Sequence, residues 1–212
     1  MKTYLTLFLI SLTVSSFYIM NKNRGEYYRL KPGKTYLGSP LINISNINKL
    51  PVFLENIRRH SATCMLETGA WLSPNQPLQA NIETLKQIKT VIQPYNDIIE
   101  AIYLVDEPYL NGWSENKLNN LVEEARKIFR KPIFIVYSTP ALKHGKQEAD
   151  IIGVDPYRIE DIKPLLDWAL NQGKPVVLVG YGDGSLIYKL FIWFAALHPT
   201  VKYVFWFHKM IK

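Results

Sequence analysis

The chain holds one cysteine, Cys64, so no disulfide can form within it and the fold must rest on its core. Cys64 sits in Ala62-Thr63-Cys64-Met65-Leu66, an apolar setting that suits a buried structural thiol. Histidines are few and scattered. His60, His144, His198 and His208 occur singly, without the close spacing of a metal site, so no metal is expected. No glycine-rich phosphate loop follows the early strands. Gly180-Tyr181-Gly182-Asp183-Gly184 comes late and lacks the Lys-Ser/Thr of a P-loop, which argues against a nucleotide-binding open sheet. No cofactor is expected. Nucleic-acid motifs are lacking too, although the net charge is +7 and the pI about 9.3. The cations are dispersed. Their densest group, Arg126, Lys127, Arg130 and Lys131, falls at a helix end, where it complements the dipole. No nucleic-acid partner is expected.

What is present is an ordinary globular composition, 48% hydrophobic and 20% charged over 212 residues, enough for one domain with a sizeable core. The N-terminus stands apart. After Lys2, residues 3–20 carry no charge and are rich in Leu, Phe and Ile, and Val14-Ser15-Ser16 offers small residues suited to cleavage. Residues 1–22 therefore read as a signal peptide or an N-terminal anchor. Export to the periplasm or medium is expected, with membrane contact only through this segment if it stays attached. No linker or low-complexity stretch divides residues 23–212.

That remainder alternates between two periods. Strand-like apolar runs are Thr35-Tyr36-Leu37, 62–66, 101–105, 133–137, 151–154, 176–179 and 203–207. Glu26-Tyr27-Tyr28-Arg29-Leu30 could supply an eighth. Helical spacing appears at Leu118, Leu121, Val122, Ala125, Ile128 and Phe129, with Ser114 as cap, and at Ile82, Leu85, Ile88 and Ile92. Ile162, Leu165, Leu166 and Ala169 mark a third helix, ended by Gly173. Residues 186–197 are apolar nearly all round, which predicts a well-buried helix. Repeated β-α units imply a parallel sheet covered by helices. The fold class is α/β, as a single-domain (β/α)8 TIM-barrel-like unit. About 190 residues is small for such a barrel, so a trimmed or incomplete one is expected.

A parallel barrel gathers every strand's carboxyl end on one face. The residues expected there are Glu67, Asp106-Glu107-Pro108, Tyr137, Asp155-Pro156-Tyr157, Tyr181, Asp183, Trp206 and His208. Pro108 cannot donate to a ladder and marks the strand's end. Carboxylates and aromatics together suit glycoside hydrolysis. One carboxyl group protonates the leaving oxygen, and a second attacks or stabilises the developing cation. Aromatic faces stack on sugar C–H surfaces. Glu107 is the candidate acid, Asp106 its tuning neighbour, and Asp183, Asp155 and Glu67 compete as the partner carboxylate. Tyr157, Tyr181 and Trp206 are expected to shape the sugar site, with Tyr137 and His208 beside them.

Three motifs resemble a known group. Ile102-Tyr103-Leu104-Val105-Asp106-Glu107-Pro108 looks like the strand-four acid motif of glycoside-hydrolase-like TIM barrels. Ile151-Ile152-Gly153-Val154-Asp155-Pro156-Tyr157 is similar to the next-but-one strand, and Lys174-Pro175-Val176-Val177-Leu178-Val179 to the strand before the nucleophile of clan A enzymes. The resemblance implies a glycosidase acting on a poly- or oligosaccharide, with Glu107 as acid/base. Two positions depart from clan A: Asp106 replaces the usual Asn, and Tyr181-Gly182-Asp183 stands where a Glu is usual. Adjacent Asp-Glu is similar instead to hexosaminidases that use the substrate's acetamide as nucleophile. On that pattern Asp106 and Tyr181 would hold the acetamide. The alternative is a carbohydrate-binding barrel that does not cleave. A carbohydrate is the expected ligand, and a monomer the expected state.

Overall fold

The computed structural model describes residues 23–26, 35–37, 47–181 and 185–207. Its strands are β1 (Asn23–Glu26), β2 (Thr35–Leu37), β3 (Thr63–Glu67), β4 (Ile99–Asp106), β5 (Ile133–Tyr137), β6 (Ile151–Val154), β7 (Val176–Tyr181) and β8 (Val201–Phe207). All neighbours pair in parallel and in chain order. Strands β3 to β8 form a curled six-stranded sheet, and the backbones of the short β1 and β2 link β8 back to β3. The expected strand at residues 26–30 shares only Glu26 with β1, and residues 27–30 lie outside the described residues.

Five α-helices cover this sheet among the described residues: α1 (Leu50–Arg59), α2 (Leu78–Ile92), α3 (Glu115–Phe129), α4 (Ile159–Leu170) and α5 (Leu186–Ala196). A short 3-10 turn, Thr139–Lys143, replaces a helix after β5. The described residues therefore make a trimmed α/β barrel rather than eight complete βα units.

Local chemistry explains the helix limits. Ser114 caps α3 by accepting from the Lys117 N–H at 3.4 Å, and the predicted stripe Leu118, Leu121, Val122, Ala125 and Phe129 is buried. Beyond α4, Gly173 adopts φ +68°, a left-handed conformation in which a side chain is strained.

Helix α5 departs from the expectation. Only Tyr188, Ile192 and Ala196 are buried, while Leu186, Ile187, Phe191, Trp193 and Phe194 face outward. A helix laid on a barrel buries one stripe. Apolar composition on its other faces cannot change that geometry.

Two layers of core result. Between sheet and helices lies the larger one, including Leu54, Cys64, Leu66, Ile102, Leu104, Leu121, Ile135, Ile152, Leu165 and Leu178. Cys64 is fully buried there, and burial pushes its thiol up to about 12, aided by the nearby Glu100 charge. The barrel interior is filled by Met65, Ala101, Tyr103, Phe134, Val136, Val177, Val179 and Phe205. Gly153 makes room for them. A Cβ at that position would meet Phe134 Cε2 at 2.7 Å and Val136 Cγ2 at 2.8 Å. Gly153→Ala is therefore expected to cost about 1–3 kcal/mol by overpacking, measured as a lower urea midpoint; an unchanged midpoint would contradict this packing.

Strand β4 carries two irregularities, and each turns an acid inward. The first falls where Cys64 pairs with Ile99 and Met65 with Ala101, leaving Glu100 unpaired in the ladder. Glu100 accepts from Thr35 Oγ1 and Tyr203 Oη, each at 3.0 Å, and from Thr63 Oγ1. Hydroxyls of β2, β3 and β8 thus satisfy a carboxylate on the barrel floor.

Candidate active site

The second irregularity of β4 builds the opposite end. Tyr103 pairs with inward Phe134, and strict alternation would then point Val105 inward and Asp106 outward. The register shifts between Tyr103 and Val105 instead. Val105 pairs with outward Ile135, and Asp106 pairs with inward Val136. One extra residue thus aims the Asp106 carboxylate into the mouth. There Tyr103 Oη donates to Asp106 Oδ1 at 2.5 Å.

Glu107 follows directly. Its N–H donates to Val136 O at 2.9 Å, and its carbonyl accepts from Leu110 and Asn111 N–H at 3.1 and 3.0 Å. Between these bonds it adopts φ +43°, the left-handed region that non-glycine residues rarely occupy. Such a conformation costs about 1–2 kcal/mol. It persists because the β5 ladder and the following turn fix both flanking peptides. Glu107 is buried, and its Oε1 has no hydrogen-bond partner.

Strand β6 supplies the third acid. Ile151 packs inward, Ile152 and Val154 pack outward, and Gly153 leaves its inward place empty. Period two brings Asp155 inward next, just beyond the strand, where its N–H donates to Tyr137 O at 2.9 Å. Asp155 Oδ1 is buried and also lacks a partner. Glu67 ends β3 on the same rim and is buried.

These carboxyls feel one another. Burial raises the Asp155 carboxyl to about 8, with help from the charges of Glu107 and Asp106. Burial also raises Asp106 to about 7; the Tyr103 hydroxyl pulls it back down, and Glu107 and Glu67 push it up. Burial and like charge together favour a proton held at the mouth near neutral pH.

Three buried polar side-chain atoms lack a partner among the described residues: Glu107 Oε1, Asp155 Oδ1 and Trp71 Nε1. All three belong to segments that follow a strand's carboxyl end, Trp71 lying in the 3-10 turn Gly69–Trp71 after β3. Gly69 lets this turn approach β4 closely, since a Cβ there would lie 3.3 Å from Leu104 O. Trp71 was not among the sequence candidates. Its signal was present, an aromatic two residues beyond Glu67-Thr68-Gly69.

The other expected residues separate. Tyr157 is on the rim and partly exposed. Tyr137 is not at the mouth. With Phe134 and Val136 inward, alternation turns it outward, where its ring meets Trp168 edge-on at 5.2 Å. The inward place after Val136 falls to Ser138, which is buried. The backbones of Tyr181 and Trp206 end β7 and lie near the end of β8, on the same rim. Asp183 and His208 lie outside the described residues. Among the described residues, no three His, Cys, Asp or Glu side chains are grouped to hold a metal ion.

No protein-family model and no curated protein matches the chain. Solved structures do. A GH113 β-1,4-mannanase is 13% identical at TM-score 0.58, covering 87% of each chain. The exo-β-1,4-mannosidase Op5Man5 from Opitutaceae bacterium strain TAV5 is 10% identical at TM-score 0.60, over 88% of this chain and 52% of that one. A dipeptide epimerase from Enterococcus faecalis V583 is 11% identical at TM-score 0.53, over 86% of this chain and 54% of that one. The chain has a glycoside-hydrolase-like TIM-barrel fold. Such identities speak to fold alone, and the epimerase has similar architecture under a name that denotes a different activity.

Proposed function

We propose that the chain is a glycoside hydrolase whose working carboxyls are Glu107 and Asp155, with Asp106 as their positioning neighbour. The observation that carries this reading is the pair of buried, unpartnered oxygens, Glu107 Oε1 and Asp155 Oδ1, on one rim. Burying a polar atom without a partner costs about 1–3 kcal/mol. A ligand hydroxyl or glycosidic oxygen would recover that cost.

The roles follow from charge. Asp155, raised to about 8, holds the proton and donates it to the glycosidic oxygen as the C–O bond breaks. The Glu107 carboxylate faces the cation that develops at the anomeric carbon and accepts a proton from the water that replaces the leaving group. Asp106, fixed by Tyr103 Oη, holds a sugar hydroxyl or an acetamide. Of the three competing partner acids, this reading takes Asp155 as the proton donor, and Glu107 moves from acid to carboxylate. The mannan-directed names of the fold neighbours suggest β-linked mannosides as the first substrates to try.

The test is release of nitrophenol from a β-mannoside and, separately, from an N-acetyl-β-hexosaminide. Release from the first supports the two-carboxyl route. Release from the second alone supports the acetamide route and Asp106 as its holder. Calorimetric binding of manno-oligosaccharide with no release over hours would replace hydrolysis by the carbohydrate-binding reading.

A further inference from the structure

We propose that α5 is a membrane-contacting surface that lays this face of the barrel on an anionic lipid bilayer. The helix reads Leu-Ile-Tyr-Lys-Leu-Phe-Ile-Trp-Phe-Ala-Ala. Its buried stripe and the Tyr188 hydroxyl, donating to Pro156 O at 2.7 Å, fasten it to the barrel. What remains outside is almost wholly apolar: Leu186 is 74% exposed, Phe194 57% and Trp193 40%. Ile187, Phe191 and Phe194 share one line at helical spacing, beside Leu186 and Trp193. A contiguous exposed apolar face of this kind marks an interaction site.

Length excludes a span. Eleven residues rise about 16 Å, roughly half of a hydrocarbon core. Among the described residues, no helix is long and apolar enough to cross a membrane. The helix would lie along the surface, with Trp and Phe at the headgroup boundary.

Charge selects the occupant. From Gly184 to Lys212 the chain has four lysines and no acidic residue. From Met1 to Gly25 it has Lys2, Lys22 and Arg24 and again no acid. The uncharged stretch 3–20 leads into β1, and β1 pairs with β8, the strand that α5 feeds. The exposed helix and stretch 3–20 are thus both apolar and both flanked in sequence by cations without acids. A second copy would oppose lysine with lysine, whereas an anionic bilayer meets both the apolar and the cationic parts.

The experiment is flotation of the full chain with vesicles of equimolar phosphatidylglycerol and phosphatidylcholine. Stretch 3–20 can bind lipid by itself, so Leu7→Arg and Ile10→Arg are present in both chains compared. In that background, Phe191→Ser with Phe194→Ser is expected to lower the vesicle-bound fraction about ten-fold, since two aromatic anchors leave the interface. In the unaltered chain, brominated lipid is expected to quench a fluorescence component that Trp193→Phe removes. Equal flotation of the two chains, or no quenching at Trp193, would overturn the proposal. So would lipid-free self-association that the Ser substitutions abolish while vesicles stay bare, which would assign the face to a second copy.

Discussion

Glu107→Gln is expected to lower kcat/KM on the cleaved glycoside by about 100- to 10,000-fold, the usual range for losing an acid-base group. The substitution keeps size and shape, so the φ of +43° and the ladder bond to Val136 O are retained. It removes one negative charge from a buried group of acids. Asp155 and Asp106 are both held up by the Glu107 charge, so both titrate lower in the variant. Two effects therefore separate. The rate falls, while the alkaline limb of the pH profile moves toward lower pH. Merely structural damage would cut the rate without moving that limb. Full activity in the variant would remove Glu107 from the chemistry altogether. Glu107→Gly makes a useful companion, because it relieves the left-handed strain yet leaves no carboxyl, and it should be as inactive as the Gln variant.

Asp155→Asn is expected to remove one part of the stability that the native chain loses as pH rises, leaving the part tied to Asp106. The Asp155 carboxyl moves from an ordinary 3.8 to about 8 on folding. Between those values the folded chain keeps a proton that the unfolded chain has released. The stability tied to this group is thus fully present below pH of about 4 and declines as pH rises toward 8. Asparagine has no such proton. The gap in unfolding free energy between variant and native should be small near pH 4 and exceed about 2 kcal/mol near pH 8, each pKa unit being worth about 1.36 kcal/mol. Urea melts across that interval measure it. A gap that stays constant with pH would mean that Asp155 ionises normally in the folded state. In the same variant, glycoside cleavage should fall steeply, most of all for substrates with a poor leaving group, because these need the donated proton.

Much of this was legible in the residues. Short continuous apolar runs bounded by Pro and Gly marked the strands, since parallel strands covered on both faces are apolar throughout. Ser114 and the apolar stripe of α3 announced that helix, because cap and stripe are local. Asp106, Glu107 and Asp155 could be placed on a common rim as soon as the strands were taken as parallel. Other features stayed out of reach. Val105 and Asp106 read the same whether or not the ladder slips just before them, between Tyr103 and Val105, and the slip depends on how β5 pairs. Tyr137 looked like a rim residue until the inward Phe134 and Val136 fixed its phase. For α5, composition predicted burial, but packing against a curved sheet covers only one side of a helix.

By itself, the sequence determined where strands and helices run and which acids stand at strand ends, because periodicity, capping and chain breaks act over a few residues. Only the tertiary structure decided which of those acids share one buried space, which aromatic turned away, and which apolar face was left outside. Those outcomes depend on register and curvature set by residues distant in the chain.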